Sequence, residues 1–441
     1  MITRIQLDNF KSFKHIDFNL CNKAKSPRKL LLIYGENGAG KSNLISAISF
    51  LCEIIETLDV QDTIEDFLSE KDKLDFNKPN FDFLQDLVSS MRTTKKILTD
   101  YSMIGSDEGI SATYSFIIGS KEGRYSIKFN RSEIIYEKLE YVWASRKGTY
   151  FECTSEGCVI NPLAFSDSEL LQGISNDAKR FWGKHSLFAV IFHYLHNSSK
   201  LFEESGVSSG LKEILDELNH LCCNVQSANA RFDKLAENDY LLMHLENGQI
   251  PRDEESRLKK IEKALSIFFV TTNSNIKGVF YKTEYKGSWI EYELYFKKMI
   301  SSQIRHVSIQ DESSGTQALL DVFVYLMEAC EGNVVAVDEL DSGIHDLLFQ
   351  KVLKDVFPHI SGQLIFTTHN TLLIDNTPFA RDSAYILREI ENGNKEVLSI
   401  SKTNTRTYLD NNVRSKYLSD DYQGLPCTSP CDVDMILAMM R

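Results

Sequence analysis

Gly35-Glu36-Asn37-Gly38-Ala39-Gly40-Lys41-Ser42 matches the pattern G-x-x-x-x-G-K-[ST]. Its glycines, Gly35, Gly38 and Gly40, let backbone N–H groups turn inward around a phosphate. The Lys41 ammonium can reach β and γ oxygens, and the Ser42 hydroxyl can hold Mg2+. Asn37 in the loop and Asn43 in the following turn belong to the same binding set, and a helix N-terminus adds its positive end. Val334-Val335-Ala336-Val337-Asp338-Glu339 is an apolar strand ending in paired carboxylates. Asp338 would hold Mg2+ through water, and Glu339 would polarise an attacking water. A second apolar strand, Leu364-Ile365-Phe366-Thr367-Thr368, delivers His369. An imidazole there can contact a γ-phosphate and help orient the water. Glu312-Ser313-Ser314-Gly315-Thr316-Gln317 opens a helix. Alone it is an ordinary N-cap. Its small residues, Ser313 and Gly315, also let a helix N-terminus come close to the γ-phosphate on another chain.

Certain elements must carry these groups. Leu30 to Tyr34 is a continuous apolar run, as in a strand buried on both faces. From Ser42 to Thr57 the apolar spacing is helical (Leu44, Ile45, Ile48, Leu51, Ile54, Ile55). Residues 2–7 and 15–20 alternate as strands. Between 110 and 160, Gly119, Gly123 and Gly148 separate strand-like runs, predicting an antiparallel meander. Residues 166–270 read as helical, with examples at 209–223 and 254–269. Strands return at 276–286, 289–298 and 304–309. Helix 316–330, strand 333–338, helix 345–356 and strands 362–367 and 383–390 then alternate, as in an α/β domain with a parallel sheet.

Composition narrows the function classes. The net charge of −13 argues against broad electrostatic capture of nucleic acid, though it leaves room for a local basic groove, and so for DNA. No run of 18 apolar residues occurs, so no membrane partner is expected. Nine cysteines without a secretory leader lead to the expectation of a reduced, cytoplasmic setting. The pairs Cys153/Cys158 and Cys427/Cys431 lack zinc-ribbon spacing and read as packing residues. His193 and His196 have no evident third ligand. Lys259, Lys260 and Lys263 with Arg252 and Arg257 read as a solvated helix face among glutamates.

In this order the motifs resemble the ABC-type ATPase superfamily: Walker A at 35–42, a degenerate signature at 313–317, Walker B at 334–339, a D-loop at 341–345 and a switch histidine at His369. Asn9-Phe10-Lys11-Ser12-Phe13 is similar to the N-F-[RK]-S-F opening of RecF, SMC and OLD-family ATPases. The nearest likeness is to OLD-like ATPases of bacterial antiphage systems, such as AriA of PARIS, RloA and PtuA of Septu. The resemblance covers about 1–55 and 305–400. It implies an ABC-type P-loop ATPase head of α/β class, with an antiparallel β lobe and an inserted helical lobe. The ligands implied are ATP and Mg2+. It also implies head-to-tail self-association, with Ser313 and Gly315 of one chain facing ATP held by Lys41 of another, and places Lys11 near the nucleotide. The Q-loop glutamine stays unassigned between Gln61 and Gln85.

The expected division is a head from 1–57 and 301–400, an insertion from 58–300 holding the β lobe (110–160) and helical lobe (166–270), and a tail from 401–441. Sustained heptads are missing, unlike SMC proteins. Residues 370–441 are too few for a TOPRIM nuclease domain, and Asp432-Val433-Asp434 reads as a solvated cap on the last helix. The expected output therefore lies with a separate effector, a nuclease or toxin, under a phage-encoded trigger. The alternative is a RecF/SMC-like repair or recombination ATPase. The tail around Arg414–Leu418 and Tyr422–Pro426 reads as a docking or capping segment without assigned chemistry.

Overall fold

The computed structural model, which describes residues 1–58, 93–143, 146–196, 206–226, 231–236, 239–375, 379–390, 393–402, 413–425 and 431–440, sets the apolar run before the glycine loop inside a sheet. That run is β3 (Leu30–Tyr34), buried at every residue. Ahead of it, β1 (Ile2–Phe10) and β2 (Phe13–Asn19) form an antiparallel hairpin; after it comes α1 (Lys41–Ile55). The hairpin does not join β3. It pairs with β4 (Ser111–Ile118), which leads into β5 (Lys121–Phe129), β6 (Ile134–Trp143), β7 (Arg146–Thr154) and β8 (Gly157–Ile160). The resulting antiparallel sheet has the order β2-β1-β4-β5-β6-β7-β8. The meander expected at 110–160 is thus extended by the N-terminal strands.

Helix α2 (Thr94–Tyr101) comes before β4, and α3 (Ser168–Phe181), α4 (Leu187–His196) and α5 (Ser209–Asn219) follow β8 in the described chain. The helix expected over 209–223 stops at Asn219. Leu221–Gln226 is a strand, β9, lying parallel to β15 (Val334–Val337). Leu221, Cys222 and Cys223 are buried, as a strand inside a parallel sheet requires. The segment 166–270 is therefore not wholly helical: it also contains β10 (Arg231–Lys234) and β11 (Asn247–Pro251). The second sheet runs β10-β9-β15-β16-β3-β17-β18, with β16 at Gln363–Thr367, β17 at Ala384–Glu389 and β18 at Lys395–Ser399. Strands β9, β15, β16, β3 and β17 are parallel, and both edge strands are antiparallel.

A third sheet joins β11 to β12 (Ile276–Lys286), β13 (Trp289–Ile300) and β14 (Gln303–Ser308), packed on α6 (Glu255–Thr272) through Phe269 and Phe296, ring centroids 4.9 Å apart. It leads into α7 (Ser314–Glu331), which is followed after β15 by α8 (Asp346–Val356). The chain closes with α9 (Val413–Leu418) and α10 (Val433–Met440).

The alternation of β3 divides the core. Leu31 and Ile33 join Leu44, Ile48 and Leu51 of α1. Leu30, Leu32 and Tyr34 join Leu319 and Phe323 of α7 and Phe349 of α8. Helix α1 lies between the two large sheets, since the Tyr114 hydroxyl donates to the Ala47 carbonyl at 2.7 Å. Gln363 ties the sheets at a second point. It accepts from Ile2 N–H at 2.9 Å and donates to the Ile2 and Arg28 carbonyls, both at 3.0 Å.

Glu137 is fully buried at the start of α4. It accepts from Leu187 N–H at 2.6 Å and from the Tyr125 hydroxyl at 2.9 Å. Burial pushes its pKa from 4.5 up to about 7, against the pull of those donors. The folded state then holds this proton more tightly than the unfolded chain. Its contribution is greatest below the unfolded value and declines as pH rises towards about 7. Glu137→Gln should flatten the fall in melting temperature across that window. An unchanged slope in thermal melts would show that another group sets it.

Cys153 and Cys158 oppose each other across the β7–β8 hairpin, Cα atoms 4.0 Å apart, and form a disulfide. This corrects their reading as packing residues, and with it the expectation of a fully reduced chain: a tight turn makes the two positions direct cross-strand partners. Cys427 lies outside the described residues, as does the side chain of His196. No group of three or more candidate metal ligands occurs among the described residues. In the basic patch, Lys259 pairs with Glu255 and Arg257 with Asp239 on an exposed helix face. Asp432 caps α10, its carboxylate accepting from Met435 N–H at 3.0 Å. No helix among the described residues is long and apolar enough to cross a membrane.

Candidate active site

Strand β3 ends at Tyr34 and the chain turns through Gly35–Gly40 into α1. Gly40 sits at φ 107° and supplies no side-chain cap, so the first N–H groups of α1 keep their donors for a ligand. A Cβ at Gly40 would meet Ser12 Oγ at 2.9 Å and the Phe13 ring at 3.0 Å, because the β1–β2 turn presses on the loop. Lys41 is buried and curls over its own loop, donating to the Gly35 carbonyl at 3.0 Å and the Glu36 carbonyl at 3.1 Å. Burial lowers its pKa, while Glu339, Asp338 and Glu36 act to raise it.

Asp338 and Glu339 leave the end of β15 beside the end of β16. The Thr367 hydroxyl donates to Asp338 Oδ1 at 2.6 Å and accepts from Glu339 N–H at 2.7 Å. Asp338 N–H donates to the Asn224 carbonyl at 2.9 Å. These bonds hold Glu339 at φ 48°, a left-handed conformation that costs an ordinary residue about 1 kcal/mol or more. The strained turn directs an exposed carboxylate off the strand end.

His369 is exposed at the next strand end. Partial desolvation of its ring and the Lys41 ammonium lower its pKa, with Glu339 and Asp338 opposing. The neutral imidazole is favoured. Lys41, Asp338, Glu339 and His369 thus share one electrostatic field, although the sequence separates Lys41 from Asp338 by most of the chain. The next residues tie this edge together. The Thr368 hydroxyl donates to Asp341 Oδ2 at 2.6 Å. Burial first, then Asp346 and Glu339, push Asp341 up to about 6.

The donor set suits a hard cation. A Ser42 hydroxyl and an Asp338 carboxylate offer oxygen only, and no larger ligand cluster accompanies them among the described residues. Mg2+ is held in just this way, by one or two protein oxygens with substrate phosphates and water.

The signature residues stand on the other side of the sheet. Ser313 caps α7, its hydroxyl accepting from Thr316 N–H at 3.3 Å. A Cβ at Gly315 would lie 3.1 Å from the Gly343 carbonyl, so the D-loop leans against this helix start. Glu312, just ahead, is buried and paired with Lys298 at 2.9 Å. Helix α7 packs on one face of the parallel sheet, and α1 with Lys41 on the opposite face.

Lys11 is engaged on α1. It donates to Ser46 Oγ at 3.0 Å, with its ammonium 4.7 Å from the Tyr101 ring centroid. Asn43 Nδ2 donates to Ser12 Oγ at 2.7 Å, whereas Asn37 and Gly38 are exposed at the loop tip. Gln61 and Gln85 lie outside the described residues. Nothing in the sequence marks Lys395, yet its ammonium donates to the Gly38 carbonyl at 3.1 Å and to Ser12 Oγ at 3.2 Å. Lys395→Ala should raise the KM for ATP about three- to tenfold, the worth of one such bond. A KM unchanged in steady-state assays would confine Lys395 to packing.

The family model described as "AAA domain, putative AbiEii toxin, Type IV TA system" matches residues 30–375. The chain belongs to that family. This AAA-domain protein is an ATP-hydrolysing enzyme, and its matched span runs from β3 past Asp338, Glu339 and His369 to Asp375. No curated protein matches the chain. Among solved structures, the SMC head bound to the C-winged helix domain of ScpA is similar at 15% identity and TM-score 0.45, with 91% of this chain and 98% of that one covered. The SMC head domain from Thermotoga maritima is similar at 15% identity and TM-score 0.39, covering 90% and 98%. The Smc head with an extended coiled coil, bound to the C-terminal domain of ScpA from Pyrococcus furiosus, is similar at 13% and 0.37, covering 96% and 99%.

Proposed function

We propose that this AAA-domain ATPase is the Mg2+-dependent ATPase subunit of a two-component antiphage, abortive-infection system, acting in the cytoplasm beside a separate effector. The carrying observation is that Lys41, Asp338, Glu339 and His369 follow the C-terminal ends of the parallel strands β3, β15 and β16, near enough to act on one another's charge. The family's description as a putative AbiEii toxin of type IV toxin–antitoxin systems supports the defence setting, as does the likeness to OLD-like antiphage ATPases.

In this reading the N–H groups of Gly38, Gly40 and the start of α1 bind phosphate oxygens. Lys41 exchanges its two loop carbonyls for the β and γ oxygens. Ser42 and Asp338 would hold Mg2+, which would supply neutralisation of phosphate charge. Glu339 orients the attacking water and accepts its proton, and neutral His369 contacts the γ-phosphate. Ser313 and Gly315 begin a helix on the far face from Lys41, which supports a site closed by a second copy, paired head to tail.

The test is phage challenge of bacteria carrying the gene with its neighbours. Protection that disappears with Glu339→Gln is the expected result. Unchanged plating, with sensitivity to DNA damage on deletion, would place the chain among repair ATPases instead.

A further inference from the structure

The tail left without chemistry in the sequence reaches the switch loop. Helix α9 lies against the turn Thr371–Ile374 that comes after His369. Arg414 Nε donates to Thr371 Oγ1 at 3.2 Å, and its Nη1 meets Asp375 Oδ2 at 3.1 Å. Tyr417 is buried, its ring centroid 5.5 Å from that of Tyr34, the residue immediately before Gly35. The Tyr34 hydroxyl donates in turn to the carbonyl of Asn370, the neighbour of His369, at 3.0 Å. Farther along, Arg388 of β17 holds the Tyr422 carbonyl at 3.3 Å, and Gly424 fits against Ile386 so closely that a Cβ would lie 2.4 Å away.

The loop after β16 is therefore held from several directions. Thr368 bonds Asp341 of the D-loop, and Asn370 Nδ2 donates to the Asp346 carbonyl of α8 at 3.1 Å. Those anchors belong to the head. Arg414 adds one from the tail, and Tyr417 fixes that tail beneath the same strand that carries the phosphate loop.

We propose that Val413–Leu425 is a strap that sets the position of the His369 loop, with Arg414 and Tyr417 as positioning residues for hydrolysis. Magnitudes favour positioning over scaffolding for Arg414. Its ion pair with Asp375 is partly exposed, and such pairs contribute only about 0–1 kcal/mol. Its loss is expected to leave the head folded, which the melting temperature below checks. The same energy is enough to shift a loop whose imidazole must meet a γ-phosphate, where small displacements are costly in rate. The proposal rests on His369 acting at the γ-phosphate.

The test compares Arg414→Ala, His369→Ala and the double variant in the full chain, measuring kcat and, separately, ATP affinity. Arg414→Ala should lower kcat about tenfold, with the Kd for ATP and the melting temperature unchanged. In the His369→Ala background it should cause no further loss, because both act through one group. Thr371→Val, which removes only the hydroxyl partner, should reproduce part of the effect should Arg414→Ala fail to fold. Unchanged kcat in Arg414→Ala, or an equal further loss without His369, overturns the strap. Wild-type turnover in His369→Ala would overturn both the imidazole's role and the strap, while losses in Lys41→Ala and Glu339→Gln would leave the ATPase site standing.

Discussion

Glu339→Gln should bind ATP with near-normal affinity and hydrolyse it roughly a hundred- to ten-thousandfold more slowly, the usual worth of a positioned general base. The substitution keeps the size and polarity of the side chain, and the turn is held by Thr367 through the backbone N–H of Glu339 rather than through its carboxylate. On the proposed mechanism the loss would be confined to the proton acceptor at the end of β15. With ATP uncleaved, the closed pair should accumulate and appear as an ATP-dependent doubling of mass in light scattering. Undiminished turnover would move the base to another group, and His369 is then the next to test.

Lys41→Ala should abolish productive ATP binding. Its ammonium already bridges two loop carbonyls at 3.0 and 3.1 Å, within the field of Asp338 and Glu339. Removing it takes away the loop's own cation for the β and γ oxygens, and leaves both acids facing the phosphates unopposed. One charge-assisted hydrogen bond is worth about 1.5–3 kcal/mol, so the Kd should rise at least ten- to hundredfold. Titration calorimetry with a slowly hydrolysed ATP analogue measures it. Normal affinity would remove the phosphate-loop assignment.

The candidate site is legible in the sequence because its groups sit at the ends of strongly patterned elements. Leu30–Tyr34, Val334–Val337 and Gln363–Thr367 are continuous apolar strands. The first runs straight into Gly35 and the second into Asp338, while the third reaches His369 one residue later. The features that escaped depend on partners distant in sequence. Leu221–Gln226 is short, and only pairing with Val334–Val337 decides that it is a strand rather than the end of a helix. Lys395 is one lysine among many until β18 brings it to Gly38. Thr367 looks like any strand threonine until its hydroxyl meets both Asp338 and Glu339. Cys153 and Cys158 needed the hairpin register, and Arg414 needed the folded switch loop. Local pattern specifies elements, while these contacts arise only from packing.

The central claim is an ATP site completed by a second copy. Mixing two inactive variants, Lys41→Ala and Ser313→Arg, tests it most directly. In a head-to-tail pair of one of each, both defects fall in one site and the other retains an intact Lys41 facing an intact Ser313. The mixture should therefore regain ATP hydrolysis that neither variant shows alone. A mixture as inactive as its components, under conditions where the wild-type chain pairs, would contradict the shared site.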